Sequence, residues 1–251
     1  MPNDRLREAM LKEGMTTEKL AEVLGVDPKT VERWITTGRS PYPRHRYRIG
    51  ALLRESESYL WPEARTREQA ARLSGSEIVQ FYPRRAHSRA DLWTRLFESA
   101  AERVDVLVYA GLFLPEQYPN LPKTLVRKAK AGAKIRLLFG DPDSAAVLER
   151  SHEEGIGDAI PVKIRNTLVH YRPCLDAPGV ELRLHATTLY NSLYRFDDEI
   201  LVNTHIYGMA AAHAPLLHLR QLSGGELFEM YTDSFEHIWA DSKPASTGME
   251  I

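Results

Sequence analysis

The sequence predicts two domains, an all-α domain over residues 1–60 and an α/β domain with a mixed sheet over residues 88–241. In the first 56 residues, apolar side chains recur at the three- and four-residue spacing of short helices. From about residue 104, apolar strands alternate with helices, and a β-rich stretch begins near residue 180. This order of elements is typical of an α/β domain with a mixed sheet.

Composition narrows the class of protein. The chain has 251 residues, 43% hydrophobic and 27% charged, which is typical of a soluble protein with one small and one medium domain. The net charge is only −1, so any signal for nucleic acid must be local. The single cysteine, Cys174, excludes an internal disulfide and a cysteine-rich metal cage. The N-terminus lacks a signal-peptide pattern, and the apolar run Val106–Leu114 is too short for a bilayer, so we expect a cytoplasmic protein without membrane attachment.

Start and stop signals define the first helices. Thr16 or Thr17 is a good N-cap, and Gly25 is the expected stop of the helix that follows. Asp27 and Pro28 then suit the cap and the first position of another helix. We expect that helix to end at Gly38, and a further helix to run from about residue 44 to 59.

Turn signals divide the rest of the chain. Residues 61–87 have the pattern of a linker with one short helix at about 67–73, and residues 242–251 that of a disordered tail. Between them the sequence predicts, in order, a helix at 90–102, a strand at 104–110, a helix at 122–131, a strand at 134–139, helices at 144–154 and 159–171, strands at 180–185, 190–196 and 199–207, and a helix at 227–240.

Residues 16–34 carry the pattern of a helix-turn-helix. A small residue at Ala21, a glycine turn at Gly25 and apolar Val31 and Trp34 allow two short helices to pack at a steep angle. This geometry projects the start of the second helix outward, where it fits the major groove of DNA. Between residues 29 and 54 there are seven Lys and Arg against one acid, the footprint expected for phosphate contact. The alternative is a small helical bundle that docks on the second domain.

The segment Leu6–Glu55 resembles the Cro/repressor (XRE-type) helix-turn-helix family. The match rests on Leu20-Ala21, Gly25-Val26, Lys29-Thr30-Val31 and Trp34. The resemblance implies double-stranded DNA as partner, bound at palindromic half-sites by a homodimer. It places Thr17 against backbone phosphate and the next helix against base edges. The DNA-binding residues that it implies are Thr17, Lys29, Thr30, Arg33, Arg39, Arg44 and Arg46, the last three as phosphate ligands.

Residues 88–240 resemble a single phospholipase D-type unit. The match rests on Val104–Gly111, Ile135–Asp141 and the hairpin Leu189–Tyr207. That family uses a nucleophilic His, a Lys two residues later that steadies phosphate charge, and an Asp five residues further on that holds the His. Aligned on Asp197, this chain has Tyr190 and Ser192 in the first two positions. Because two of the three groups are missing, we expect no phosphodiester hydrolysis, no catalytic residue and no enzyme.

The hairpin suggests a binding site in place of a catalytic one. Tyr190, Ser192, Asp197 and His205 are expected to cluster at one mouth of the sheet and to bind an unknown small-molecule effector. The alternative is that these are ordinary strand residues and that the domain only dimerises. The histidines at positions 205, 213 and 218 fit no standard ligand set, so no metal is expected, and no cofactor is expected either.

These features together favour a homodimeric, sequence-specific DNA-binding transcriptional regulator with a catalytically degenerate phospholipase D-like domain for sensing or dimerisation. Two alternatives remain open at this point. One is a DNA-targeted phosphodiesterase or nuclease. The other is an antitoxin-like repressor that binds a protein partner through the second domain.

Overall fold

The computed structural model describes residues 2–62, 75–223 and 225–245. The chain divides into two compact units, Met1–Ala71 and Arg72–Ile251, here called the N-terminal and C-terminal units. Helices make up the described part of the first unit, and a mixed sheet with helices makes up the second. The predicted class, an all-α part followed by an α/β part, is confirmed.

The N-terminal unit is a bundle of short helices. Its elements are α1 (Asp4–Lys12), α2 (Thr17–Leu24), α3 (Pro28–Thr36), α4 (Pro43–Leu53) and α5 (Glu57–Leu60). The hydroxyl of Thr16, not Thr17, caps α2 by accepting from the backbone N–H of Lys19. Gly25 ends α2 with φ 69°, a left-handed conformation that suits glycine. The carboxylate of Asp27 caps α3 by accepting from the Lys29 N–H at 2.8 Å.

The helix predicted at residues 44–59 is broken in two. Arg54 has φ 55°, and the N–H of Glu55 turns back to the carbonyl of Gly50. A Cβ at Gly50 would lie 2.9 Å from the Glu55 carbonyl oxygen, so only glycine permits this close return of the chain. Ser56 then caps α5. The periodic apolar pattern concealed the break because both helices face the same core.

The C-terminal unit is built on one sheet. Its strands are β1 (Ile78–Tyr82), β2 (Arg103–Val108), β3 (Lys134–Gly140), β4 (Val180–His185), β5 (Asn191–Phe196), β6 (Glu199–Thr204), β7 (Leu216–Arg220) and β8 (Lys243–Pro244). Their spatial order is β1-β7-β6-β5-β2-β3-β4-β8. The pairs β2–β3 and β3–β4 are parallel, and every other pair is antiparallel. The sheet is therefore mixed, as predicted.

Helices connect and cover these strands. They are α6 (Ala90–Ser99), α7 (Phe113–Gln117), α8 (Leu121–Lys130), α9 (Ala145–Glu153), α10 (Ala159–His170), α11 (Arg172–Leu175) and α12 (Leu227–Ala240). Helix α6 packs on β5, α8 on β3 and β4, and α12 on β4. The central strands are buried along almost their whole length, as expected for strands covered on both faces.

A buried ion cluster ties α12 to the sheet. The guanidinium of Arg136 on β3 makes two hydrogen bonds to Asp105 on β2, at 2.7 and 2.8 Å, and two more to Glu236 on α12. Its planar group also lies over the rings of Phe235 and Trp239. Arg136 and Asp105 are each about 2% exposed, so removing Arg136 would leave the Asp105 charge buried without its partner.

The predicted linker 61–87 needs correction. Its second half supplies β1, which pairs with β7, and a short 3₁₀ helix, Arg85–His87. The strand was missed because β1 lies at the sheet edge, where its side chains are largely exposed and show no clear alternation. In the predicted tail, β8 pairs with β4. Residues 63–74, with the predicted helix 67–73, and residues 246–251 lie outside the described part of the chain.

Asp197 anchors the tight turn between β5 and β6. Its backbone has φ 49°, and its carboxylate accepts from the backbone N–H groups of Ala101, Glu102 and Arg103 at 2.7–2.9 Å. Burial by itself would raise the pKa of this carboxyl, but the three N–H groups hold the pKa below its ordinary value. The ionised side chain therefore joins the turn to the start of β2.

We predict that Asp197→Gly lowers the free energy of unfolding by about 2 kcal/mol more than Asp198→Gly, because only the first removes a charged acceptor of three hydrogen bonds. Glycine tolerates the left-handed backbone, and both variants carry the same entropic cost of glycine. Asp198 is the exposed neighbour in the turn. Urea denaturation measures the difference, and equal losses in the two variants would show that the carboxylate does not anchor the turn.

Candidate functional site

The exposed face of α3 is the first candidate site. Lys29, Glu32, Arg33 and Thr36 follow one another at helical spacing and are all exposed, and we call them the α3 stripe. The opposite face of α3 buries Val31, Trp34 and Ile35 in the core of the N-terminal unit. The stripe is thus held outward by the packing of the other face.

Cations without acid partners lie on the α3 stripe and in the segment that follows α3. Within residues 2–62, the side chains of Lys29, Arg33 and Arg39 are exposed and make no hydrogen bond or ion pair. Arg46 differs, because its guanidinium is half-buried and bonds Glu57 and the Pro41 carbonyl. The structure therefore gives Arg46 a part in holding the chain between α3 and α5, which sequence reasoning did not anticipate.

The other DNA-binding residues implied by the sequence lie on α2, α3 and α4. Thr17 is the first residue of α2 and half-buried, and Thr30 is half-buried on the first turn of α3. Arg44 is exposed and contacts His45. Thr36 was missed, although its place seven residues after Lys29 follows from helical periodicity.

The second candidate site is a cavity of about 300 Å³ in the C-terminal unit, here called the strand-end cavity. It lies where β2 and β6 end and β5 begins. The loop after β2, the starts of β5 and of α10, and residues 210–212 contribute to its wall. A crevice outside the carboxyl ends of parallel strands is a common place for ligands in α/β proteins.

A chain of hydrogen bonds lines this cavity. The Nδ1 atom of His205 lies 3.1 Å from the Leu189 carbonyl oxygen, which can only accept, so Nδ1 carries the proton. The Nε2 atom of a neutral ring then accepts, and the hydroxyl of Ser192 donates to it at 2.9 Å. Burial raises the pKa of the neighbouring Tyr194 to about 12, so its hydroxyl keeps its proton at neutral pH.

Burial keeps His205 neutral. Loss of water around the imidazole, aided by the positive charge of Arg150 and opposed by the Leu189 carbonyl, lowers its pKa from 6.5 to about 4. The ring of Tyr109 stacks on His205 with the centroids 5.6 Å apart. At neutral pH the imidazole is therefore an acceptor for Ser192 and carries no charge.

Arg85 brings a cation to the same cavity. Its guanidinium lies 3.7 Å from the centre of the Phe113 ring, and its Nε atom is buried without a hydrogen-bond partner among the described residues. Burial lowers the pKa of this guanidinium, although arginine stays protonated in proteins. Sequence reasoning missed Arg85 because it falls in the stretch predicted as a linker.

The structure unites only part of the predicted ligand cluster. Ser192 and His205 are hydrogen-bonded at the cavity. The side chain of Tyr190 is 79% exposed and does not line it. Asp197 lies at the far end of β5, a strand of six residues, so the expected cluster at one mouth of the sheet is wrong for this residue. Successive residues of a strand advance by about 3.3 Å, which separates the two ends of β5.

The described residues lack two kinds of feature. No group of three or more His, Cys, Asp and Glu is arranged to hold a metal ion within residues 2–62, 75–223 and 225–245. In the same ranges, no helix combines the length and the apolar character needed to span a bilayer.

Residues 75–246 match the family model described as "Domain of unknown function (DUF5919)". The match covers almost all of the C-terminal unit, including the strand-end cavity and the turn at Asp197. None of the curated protein sequences that were compared is significantly similar to the chain.

Two solved structures share part of the fold. The archaeal chromatin protein TrmBL2 is 12% identical, with a TM-score of 0.41 over 66% of this chain and 52% of its own. Phosphatidylserine synthase of Haemophilus influenzae Rd KW20 is 14% identical, with a TM-score of 0.46 over 66% of this chain and 38% of its own. The chain thus spans about half of the first protein and less of the second, and at these TM-scores neither similarity bears on function.

We predict a pH-dependent stability that originates at His205. The neutral imidazole contributes fully to the free energy of unfolding above pH 6.5, the pKa of a histidine in the unfolded chain. This contribution is lost as the pH falls toward about 4, the pKa of His205 in the folded protein. Between about pH 7 and about pH 5, the loss is about 2 kcal/mol. His205→Gln, whose amide can still donate to Leu189 and accept from Ser192, should not show this loss in urea denaturation.

The exposed His213 provides the control for this experiment. His213→Gln removes a histidine from the same segment without touching the hydrogen-bond chain, and its pH dependence should follow that of the parent protein. If His205→Gln also followed the parent, the imidazole of His205 would not be held neutral by burial.

Proposed function

The chain belongs to the DUF5919 family, and we propose that it is a DNA-binding regulator whose N-terminal unit contacts duplex DNA through the α3 stripe. The observation that carries the proposal is the combination of an outward-facing helix with exposed cations that have no acid partner. Lys29 and Arg33 lie on the helix itself, and Arg39 follows it. A helix of this kind fits the major groove, and arginine reads guanine there.

Two features of α2 and α3 support this geometry. The turn from Gly25 to Asp27 joins the helices with a left-handed glycine and a capping carboxylate, which fixes the start of α3. Thr17 opens α2, where backbone N–H groups remain available for a phosphate oxygen. Phosphate contact on one side and base contact on the other is the arrangement that positions a recognition helix.

The finer parts of the proposal concern regulation and assembly. We place the chain as a transcriptional regulator of the Cro/repressor type, which binds a palindromic operator as a homodimer. The C-terminal unit, with its resemblance to a phospholipase D-type unit, then pairs the two copies or binds an effector. A two-fold dimer presents two α3 stripes about one helical turn of DNA apart.

We place the C-terminal unit as a binding unit and not as an enzyme. Tyr190 and Ser192 stand where the phospholipase D pattern has its nucleophile and its cation. The Ser192 proton is donated to His205, whose low pKa makes it a weak general base. The purified chain should therefore not hydrolyse a chromogenic phosphodiester. Turnover that was lost on His205→Gln would favour the alternative of a DNA-targeted phosphodiesterase.

The proposal is tested by selecting binding sites from random duplexes with the full chain. We expect an enriched palindromic site and an affinity that falls steeply with salt concentration. Arg33→Ala should reduce discrimination between the selected site and unrelated DNA by about 1–3 kcal/mol, the cost of losing one bidentate base contact. Fluorescence anisotropy at several salt concentrations measures both quantities.

Arg39→Ala separates phosphate contact from base contact. It should weaken binding evenly across sequences and reduce the salt slope by about one unit. Lys130→Ala, which removes an exposed cation at the end of α8 in the other unit, is the matched control and should bind like the parent. If Arg33→Ala and Arg39→Ala also bound like the parent, the α3 stripe would not be the DNA-binding surface.

A further inference from the structure

Arg85 poses an energetic problem that the described residues do not solve. Its side chain is half-buried, its Nε atom is buried without a hydrogen-bond partner, and no acid pairs with it within residues 75–223 and 225–245. A buried charge without a partner, or a buried donor without an acceptor, is costly. A carboxylate or phosphate oxygen at the guanidinium would compensate the charge because it is anionic and accepts hydrogen bonds.

The aromatic ring beside Arg85 provides only part of the compensation. The guanidinium stacks on Phe113, a cation–π contact worth about 2 kcal/mol when it is desolvated. Stacking uses the flat face of the guanidinium and leaves its N–H groups, which point outward in the plane, without acceptors. The plane of Arg85 is therefore held in place by Phe113 with its donors available.

The other charges around the strand-end cavity do not replace a ligand. Arg150 is already satisfied by Glu153, Glu154 and the carbonyl oxygens of Ile206 and Met209. Because Glu154 is bound to Arg150, it is not the partner of Arg85. Two further lining side chains, Lys163 and Glu116, are exposed and opposite in charge, and water screens both.

One hydroxyl group in the cavity also has a proton to donate. The hydroxyl oxygen of Tyr109 accepts from the backbone N–H of Leu189 at 2.9 Å, so its own proton is not used in that bond. The hydroxyl proton of Ser192, in contrast, is used in its hydrogen bond to His205. Arg85 and Tyr109 thus both present donors at the cavity, a combination that suits an oxyanion.

We propose that the strand-end cavity binds a small molecule through an oxyanion, a carboxylate or a phosphate, that pairs with Arg85. The volume of about 300 Å³ is at the small end of ligand pockets and fits a compact metabolite. The rings of Tyr109, Phe113 and Tyr194 offer an apolar wall for the remainder of the molecule. This deepens the effector part of the proposed function but does not rest on DNA binding, because every residue involved lies in the C-terminal unit.

The proposal is tested with the full chain by thermal shift and isothermal titration. The probes are inorganic phosphate and acetate, with sodium chloride at the same ionic strength as the reference. A ligand that binds only the folded state raises the melting temperature as its concentration increases. A shift with phosphate alone identifies a phosphate site, a shift with acetate alone a carboxylate site, and a shift with both a general oxyanion site.

Arg85→Met removes the charge but keeps a side chain of similar length against Phe113. We expect at least about tenfold weaker binding of the active probe, the effect of losing a charge-assisted hydrogen bond. In sodium chloride alone, the variant should be no less stable than the parent, because an uncompensated charge has been removed. Arg84→Met is the matched control, an equal change of charge at the exposed neighbour, and should bind the probe like the parent.

Two more variants keep the result interpretable. Arg85→Lys retains the charge but not the planar fork, so it should weaken binding severalfold. It replaces Arg85→Met as the test if that variant fails to fold. Arg33→Ala, which impairs the proposed DNA contact, should leave the probe response unchanged, so failure of one proposal is distinguishable from failure of the other. No shift with either probe, or an undiminished shift in the Arg85 variants, would overturn the oxyanion site.

Discussion

The strand-end cavity depends on the register of the β5–β6 hairpin, and that register depends on one carboxylate. Asp197 holds the turn by accepting from three successive backbone N–H groups at the entry to β2. The turn sets Ser192 opposite Asn203, and the chain after β6 then brings His205 back to the Ser192 hydroxyl. A slip of one residue would turn these side chains to the other face of the sheet. A residue far from the cavity thus determines which groups meet in it.

The two candidate sites both present positive charge, but in different environments. Lys29, Arg33 and Arg39 are exposed cations, which remain hydrated and so carry little desolvation cost. They attract a polyanion over a distance that decreases as the salt concentration rises. Arg85 is a half-buried cation whose buried Nε atom lacks an acceptor, and it gains most from direct contact with an oxyanion. Exposure suits the N-terminal unit to an extended phosphate backbone, and burial suits the C-terminal unit to a compact ligand. This contrast is the physical basis for separate roles of the two units.

Much of the fold follows from local rules. The caps at Thr16 and Asp27, the glycine stop at Gly25 and the helix Leu227–Ala240 lie where spacing and capping preferences place them. Strands β2 to β6 are long apolar or alternating segments, and the sequence predicts all of them to within a few residues. The edge strand β1 and strand β7 escaped prediction. Both are five residues long, and β1 is stabilised by pairing with β7, which is distant in sequence, more than by burial of its own side chains.

The sequence by itself determined the order of elements, the division into an α part and an α/β part, and the residues on the outer face of α3, because each depends on neighbours within a few positions. Only the tertiary structure decided which polar groups meet. Ser192 and His205 are joined through adjacent strands, Asp197 is kept apart from them by the length of β5, and Arg85 arrives from a segment without a recognisable pattern. The physical reason is that burial and hydrogen bonding between distant segments depend on strand register and packing. Neither is encoded in the local spacing of residue types.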